Sequence, residues 1–399
     1  MLTGLRVIEL ATYIAAPAAA GMLADWGADV IKVEPPTGCP MRLMFSSLQN
    51  DFYQGNPVFG LDNRGKRGIV LDVSKEDGME ALKRLVKDAD VFITNLRPDS
   101  MKSLAVEYDD LKTVNPRLVY ASLTGYGLQG EEKNRAGLDI AAFYARSGFG
   151  HLSTIKGGEP VLMRTAVGDH ITGVGMVAGI MAALLEREKT GRGKFVEASL
   201  LRAGVYAAGS DMSIQLKFNR VGSLKARHDS VNPLSNFFKT KEGSWFVIVP
   251  RQGEKDWPAL CRAIGKPELI DDERFNGNRA RRNNAAELVD MLDAEFAAHD
   301  MNEWKQKLDA EDIVWAPMQS PAQVAEDPQA IAAGAFVEMT DQNSNETYLS
   351  PAPPVRFPEE GDTPKRGAPE LGQHTEQVLK EIGYDNKTIT ELKTSGALG

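Results

Sequence analysis

The stretch Leu5-Arg6-Val7-Ile8-Glu9-Leu10, then Ala18-Ala19-Ala20-Gly21-Met22-Leu23-Ala24-Asp25-Trp26, then Ala28-Asp29-Val30-Ile31-Lys32-Val33, decides the fold. The first piece is a short apolar run, the second is small and helical, and the third is apolar and β-branched. That succession reads as strand, helix, strand. The rhythm repeats with a strand at 68–73, an amphipathic helix at 76–87 and a strand at 89–94. A further strand at 118–123 follows Pro116 and ends at Thr124-Gly125-Tyr126-Gly127. Alternation of this kind over the first two hundred residues predicts an α/β fold with a mostly parallel, doubly wound sheet. Such sheets bind ligands beyond the carboxyl ends of their strands. The loops after Glu34, Val73, Asn95 and Leu123 are therefore where a site is expected.

Further along, Gly168-Asp169-His170-Ile171-Thr172-Gly173 precedes a long apolar helix predicted to reach about Glu188. Lys189-Thr190-Gly191-Arg192-Gly193 marks its stop, with basic residues in the last turn and glycine beyond. A strand at 194–197 and a small-residue helix to about 216 follow. The polar, basic stretch 219–232 reads as the crossing into a second domain, which opens with a hairpin (236–241 and 244–249) around Lys241-Glu242-Gly243. Helices are predicted at 254–264, 285–298 and 302–310. From Ala316 the chain is rich in Pro and Ala, then a polar hairpin-like piece spans 336–355 and short helices span 374–382 and 386–394. The expected domains are 1–218 with 316–399, and 219–315 between them.

The chain has 399 residues, 42% hydrophobic and 25% charged, which is the composition of a soluble globular protein longer than one ordinary core. A net charge of −9 argues against nucleic-acid or anionic-membrane partners, while leaving room for a local basic pocket. Two cysteines, Cys39 and Cys261, suggest a reducing compartment rather than a disulfide framework. Residues 1–6 enter a strand without a basic, apolar leader pattern, and the low-charge stretch 171–185 is short and glycine-rich for a bilayer span. A cytoplasmic protein is the expectation.

Asp169 is the residue on which the chemistry turns. A helix N-terminus offers unpaired N–H groups and a partial positive charge, so its carboxylate is expected to stay ionised at neutral pH. Such a carboxylate is either a helix cap or a nucleophile. Gly168 and the Thr172-Gly173 step strip bulk from around it, which a cap does not need. The run from Gly173 to Gly179 has the wrong spacing for a dinucleotide fingerprint and reads as close helix packing. Neither the five histidines nor the two cysteines show metal-ligand spacing, and no Gly-x-Ser-x-Gly or Walker sequence is present. After the strand at 89–94, Asn95 and the backbone could grip a polar ligand, with Arg97 and Lys102 offering charge to phosphates. The alternative is an ordinary solvated loop. Asp62-Asn63-Arg64-Gly65-Lys66-Arg67-Gly68 is a second basic turn open to the same two readings.

Several of these pieces recur together in one family. Leu5 to Leu10 with Ala16-Pro17, the run from Leu23 to Glu34, Asn63 with Lys66-Arg67, Leu71-Asp72-Val73, Gly125-Tyr126-Gly127, Gly168-Asp169 and Lys189 to Gly193 stand in order along the whole chain. In that order the sequence resembles the class III coenzyme A transferases, the CaiB/BaiF family of formyl-CoA and carnitine-CoA transferase type. The resemblance implies an interlocked homodimer of two-domain subunits. The large Rossmann-like domain takes the N-terminal half and the C-terminal segment, and a smaller α+β domain lies between. It implies that the catalytic residue is Asp169. It places acyl-CoA contacts at the backbone of Ile14 and Ala15, at the loop of Leu71, Asp72, Val73 and Ser74, and at Asn95, Leu96 and Arg97. Lys102 stands in for an arginine that some relatives carry at the position of Ser103 or Leu104. Pro35 and Pro36 occupy a place where some relatives have arginine, and Arg251-Gln252-Gly253 lies roughly where one branch has a glycine-rich lid.

Ile14-Ala15-Ala16-Pro17, Phe143-Tyr144-Ala145-Arg146-Ser147-Gly148 and Gly168-Asp169-His170 look most like the branch acting on 2-hydroxyacyl groups. That branch contains the (R)-2-hydroxyisocaproate and (R)-phenyllactate CoA-transferases. The implied reaction moves CoA from a thioester to a free acid through an aspartyl anhydride and an aspartyl-CoA thioester, with CoA thioester as substrate and no metal or prosthetic group. Two rivals stay in view. An acyl-CoA racemase or epimerase on the same fold would carry Gly-His-Asp where this chain has Gly137-Leu138-Asp139, and Leu138 cannot take a proton. A noncatalytic CoA-binding protein would use Asp169 only as a cap.

Overall fold

A computed structural model describes residues 1–44, 55–251, 253–340, 346–360 and 365–398. The chain begins with a strand-helix-strand unit: β1 (Arg6–Leu10), α1 (Ala15–Asp25) and β2 (Asp29–Glu34). It continues through α2 (Pro57–Asn63), β3 (Arg67–Val70), α3 (Glu76–Lys87) and β4 (Val91–Thr94). Then come α4 (Pro98–Ser103), α5 (Tyr108–Val114) and β5 (Val119–Thr124). A π-helical turn, Ile140–Ala145, leads to α6 (Phe149–Leu152) and the long α7 (Val167–Thr190). After it stand β6 (Phe195–Ser199), α8 (Leu200–Ala207) and α9 (Gly209–Phe218). The small-residue helix expected to reach 216 is thus two helices, meeting at Ala208.

These strands make one parallel sheet in the order β3-β2-β1-β4-β5-β6. The chain winds outward from β1 to β3, then returns to lay β4 on the other side of β1. That reversal leaves a crevice at the carboxyl ends of β1 and β4, the place where open parallel sheets take their ligands. Every residue of β4 and β5 is buried, as expected of strands covered on both faces. On one face Val7, Val91 and Ile93 pack with Ala16, Ala19 and Leu23 of α1 and with Met176 and Ile180 of α7. On the other, Ile8, Ile31 and Phe92 meet Leu82 and Leu85 of α3, Leu111 of α5, and the C-terminal helices through Val378, Leu379, Ile389 and Leu392. By length and composition α7 could cross a membrane, yet here it is a core helix of the large unit. It ends at Gly191, whose φ of 69° is a left-handed stop that glycine adopts without strain.

Two compact units are present. The larger comprises Met1–His151, Val161–Val221 and Ile331–Gly399, and the smaller comprises Leu152–Pro160 and Gly222–Ala330. In the smaller unit an antiparallel sheet of β7 (Asn236–Lys239), β8 (Trp245–Ile248) and β9 (Trp315–Pro317) backs onto helices around Phe238, Phe246, Trp257, Phe296 and Trp304. The return to the large domain expected at 316 is corrected by this sheet. Trp315 pairs with Ile248 and its ring meets Phe246 at 6.2 Å, so the Pro- and Ala-rich run begins as a strand of the smaller unit. The chain rejoins the larger unit at Ile331 instead. There β10 (Phe336–Thr340) and β11 (Thr347–Pro351) form the anticipated antiparallel pair, and β12 (Lys365–Arg366) adds a parallel strand. Of the lid candidate Arg251-Gln252-Gly253, Gln252 lies outside the described residues, and Arg251 is engaged by Asp312 at 2.9 Å.

Candidate functional site

The crevice is built first by the turn from β1 into α1. The Asn95 side chain, just past β4, accepts a hydrogen bond from the Thr12 N–H at 3.0 Å and donates one to the Thr12 carbonyl at 2.6 Å. Asn95 thereby grips the protein's own loop, not the polar ligand expected of it. The next residue, Tyr13, has φ 61° and is 41% exposed. A left-handed tyrosine is strained, and persists only where its neighbours hold it. Ile14 and Ala15 follow, both buried, and Ala15 opens α1. The first N–H groups of α1 have no partner within the helix.

The N-terminus of α7 is the second component. Its cap residue is Ala166, at φ 74° with no side-chain cap, and Asp169 sits inside the first turn. Asp169 is therefore not the N-cap, which removes the simplest structural reading of it. Ala166 packs with Ile14 and Phe59, and a Cβ on Gly173 would lie 3.0 Å from the Ala15 carbonyl oxygen. Those contacts set the N-terminal part of α7, which carries Asp169, against the start of α1. The glycines serve packing rather than clearance for a substrate. A Cβ on Gly168 would stand 2.4 Å from Phe143, and Thr172 donates its hydroxyl to the Gly168 carbonyl at 2.7 Å. Close packing of small residues was the reading for Gly173 to Gly179; Gly179 indeed faces Val196, while Gly175 is open.

Electrostatics correct a second expectation. Burial pushes the Asp169 carboxyl up to about 7, and the neighbouring carboxylates of Asp139 and Asp62 add to the rise while His170 opposes it. Desolvation and like charge outweigh the helix N-terminus here, so at neutral pH Asp169 is only partly ionised. No described residue donates a hydrogen bond to it. Asp139 is 3% exposed; its Oδ1 accepts from the Ile140 N–H at 2.7 Å and its Oδ2 has no partner among the described residues. Asp62 takes the Nε2 side of His170 at 3.1 Å and holds that imidazole above its usual value. The sequence reading missed Asp139, Asp62 and His170 as a group. Its one signal was Gly137-Leu138-Asp139, weighed only for the histidine it lacks; Leu138 itself is 61% exposed. Among the described residues no three His, Cys, Asp or Glu side chains are grouped to hold a metal.

The remaining candidates divide. Leu71 is buried and its N–H bonds the Glu34 carbonyl, so it belongs to the sheet. Beyond it Asp72 accepts from the Ser74 N–H and hydroxyl, and Val73 lies between them, partly buried. Leu96 is half-buried, Arg97 is exposed with one bond to the Asn134 carbonyl, and Lys102 is exposed on α4. The second basic turn is spent internally. Arg64 pairs with Asp25 at 2.6 Å, Lys66 with Glu9 at 2.6 Å, and Arg67 with Asp29 and Glu381. Past Pro35 and Pro36, Arg42 is engaged by Glu34 at 2.6 Å.

Residues 2–375 match the model of CoA-transferase family III, and the chain belongs to that family. It is 33% identical over 398 residues to the (R)-2-hydroxy-4-methylpentanoate CoA-transferase of Clostridioides difficile, covering 99% of this chain and 98% of that protein. It is 32% identical over 396 residues to the cinnamoyl-CoA:phenyllactate CoA-transferase of Clostridium sporogenes, covering 98% and 96%. With the human succinyl-CoA:glutarate CoA-transferase it shares 30% over 406 residues, covering 100% and 90%. Among solved structures, a CaiB/BaiF family protein from Brucella suis superposes with a TM-score of 0.83 at 29% identity, covering 96% and 99%. The chain is thus a class III CoA-transferase, an enzyme whose substrate is acyl-CoA.

Proposed function

We propose that this enzyme moves CoA from an acyl-CoA to a free 2-hydroxy acid through covalent intermediates on Asp169. The observation that carries the reading is the placement of one carboxylate, without a hydrogen-bond donor among the described residues, in the first turn of α7, the helix that packs on the start of α1. The 2-hydroxy acid class follows the named substrates of two relatives that match over nearly the whole chain. Asp169 attacks the thioester carbonyl, forming a mixed anhydride and releasing CoA thiolate. The thiolate attacks the aspartyl carbonyl of that anhydride, which gives an aspartyl-CoA thioester and frees the donor acid. The acceptor carboxylate then displaces the thiolate to form a new anhydride, and the thiolate attacks its acyl carbonyl to regenerate Asp169. Dividing the exchange this way replaces one difficult step with several easier ones. The unpartnered N–H groups at the start of α1 are suited to the oxyanions.

The CoA portion is assigned to the backbone of Ile14 and Ala15, the Asp72–Ser74 loop, Leu96, Arg97 and Lys102. Both cysteines are free and buried, which suits a cytoplasmic setting. The working form is assigned as an interlocked homodimer. In support, α9 buries none of its residues and exposes Ile214, Leu216 and Phe218. Beside it, an open groove of about 490 Å³ runs between α7 and Tyr206, Met212 and Leu216. Light scattering on the purified protein tests the dimer; a monomer at micromolar concentration contradicts it. Donor–acceptor exchange by wild type and its loss in Asp169→Ala test the chemistry, and a screen of branched and aromatic 2-hydroxy acids tests the class.

A further inference from the structure

β1 carries a charge where a strand covered on both faces ordinarily carries none. Glu9 is 0% exposed, its cross-strand partner Lys32 is 0% exposed, and Lys66, just before β3, is also 0% exposed. Lys32 Nζ donates to Glu9 Oε1 at 2.6 Å and Lys66 Nζ donates to Glu9 Oε2 at 2.6 Å. Two ammonium groups share one carboxylate. Apolar side chains of similar volume often hold a core as well as a buried ion cluster does, so the charges invite a reason besides stability. What the ammonium groups add is directed hydrogen bonding.

Two of their other bonds go to either side of the turn from β1 into α1. Lys32 donates to the Ala11 carbonyl at 3.2 Å, and Lys66 donates to the Pro17 carbonyl at 2.9 Å and to Asn63 Oδ1 at 3.0 Å. Between Ala11 and Pro17 lie Thr12, clamped by Asn95, and the strained, part-exposed Tyr13. We propose that Glu9, Lys32 and Lys66 are positioning residues that fix segment 11–17, the β1–α1 loop with the first turn of α1, at both of its ends, so that it meets acyl-CoA with Tyr13 already in its left-handed conformation. This rests on the reading above, in which that loop contacts the substrate. A loop fixed beforehand binds without paying the entropy of ordering.

Lys66 is the member that titrates within reach of ordinary assays. Burial pulls it down to about 8, with Lys32 adding to the fall and Glu9 and Asp62 opposing it. Lys32, though disfavoured by burial, is held above its usual value by Glu9, Cys39 and Glu34. The three protons of a charged Lys66 match its three acceptors, Glu9, Pro17 and Asn63. A neutral amine leaves one of them unpaired.

The test is the variant Glu9→Met/Lys32→Met/Lys66→Met, measured beside wild type for donor KM, kcat and direct binding of CoA. The expected result is a folded protein whose donor KM and CoA Kd rise about tenfold, with kcat at saturating donor within about threefold of wild type. A folded variant with wild-type KM and Kd overturns the proposal. Should the variant not fold, wild type alone decides the matter. Its donor KM is expected to rise severalfold as pH passes about 8, with kcat level, and a flat KM from pH 7 to roughly 9.5 overturns it. CoA binding does not require Asp169 to react, so loss of the covalent mechanism would appear separately, in the Asp169→Ala exchange assay.

Discussion

Asn95 holds Thr12 by both of its backbone groups, at 3.0 and 2.6 Å, and so ties the end of β4 to the turn after β1 across the reversal of the sheet. Two hydrogen bonds of this kind are worth roughly 1–3 kcal/mol together. Asn95→Ala is therefore expected to lower unfolding stability by about that amount and to raise donor KM more than it lowers kcat. Thermal unfolding and steady-state kinetics check both halves. An unchanged KM would show that the turn keeps its shape without the clamp.

Gly168 and Phe143 form a second fixed relationship. Gly168→Ala places a Cβ 2.4 Å from the Phe143 ring, against the turn that carries Asp169. Overpacking of this kind costs about 1–3 kcal/mol. Reduced kcat and reduced melting temperature are expected, both partly relieved when Phe143→Ala is added, which removes the Cγ and Cδ1 contacts at 2.4 and 2.7 Å. A double-mutant cycle measures the coupling, and purely additive losses would count against it.

The acidity of Asp169 sets the pH dependence of the reaction. With its carboxyl near 7, kcat should climb through neutral pH and level off above about 8, and kcat/KM should climb with it until the rise in donor KM tied to Lys66 sets in. Asp139→Asn removes the larger of the two like-charge effects behind that rise, so its limb should move to lower pH. A limb left in place by Asp139→Asn would show that Asp139 takes no part in that rise.

The same shift burdens the fold. A carboxyl raised to about 7 binds its proton more tightly folded than unfolded, so stability falls as pH rises from about 4 to about 7 and stays low above it. Asp169→Asn removes that penalty. It should be more stable than wild type by about 2–4 kcal/mol at pH 8 and by little at pH 4. Denaturant unfolding at the two pH values measures this, and equal gains at both would contradict the assignment.

Much of the fold was legible because it rests on local pattern. The apolar runs around Val7, Val30 and Ile93, the amphipathic helix at 76–87 and the glycine stop at Gly191 each declare themselves within a few residues. The boundary at 316 misled because Trp315 pairs with Ile248, a contact between residues far apart in sequence. The site shows the same division. Gly168-Asp169 stood out as a motif, but the causes of its acidity do not. Asp139 reaches Asp169 only through the packing of the π-helical turn against α7, and Asn95, Arg64 and Lys66 were open to ligand or to protein until their partners were known.

The central claim is that Asp169 carries the acyl group and then CoA. Hydroxylamine added during turnover should convert Asp169, and no other carboxylate, to a hydroxamate found by peptide mass spectrometry, and only when acyl-CoA is present. Unmodified Asp169 in an enzyme that is turning over, or full transfer by Asp169→Ala, would contradict it.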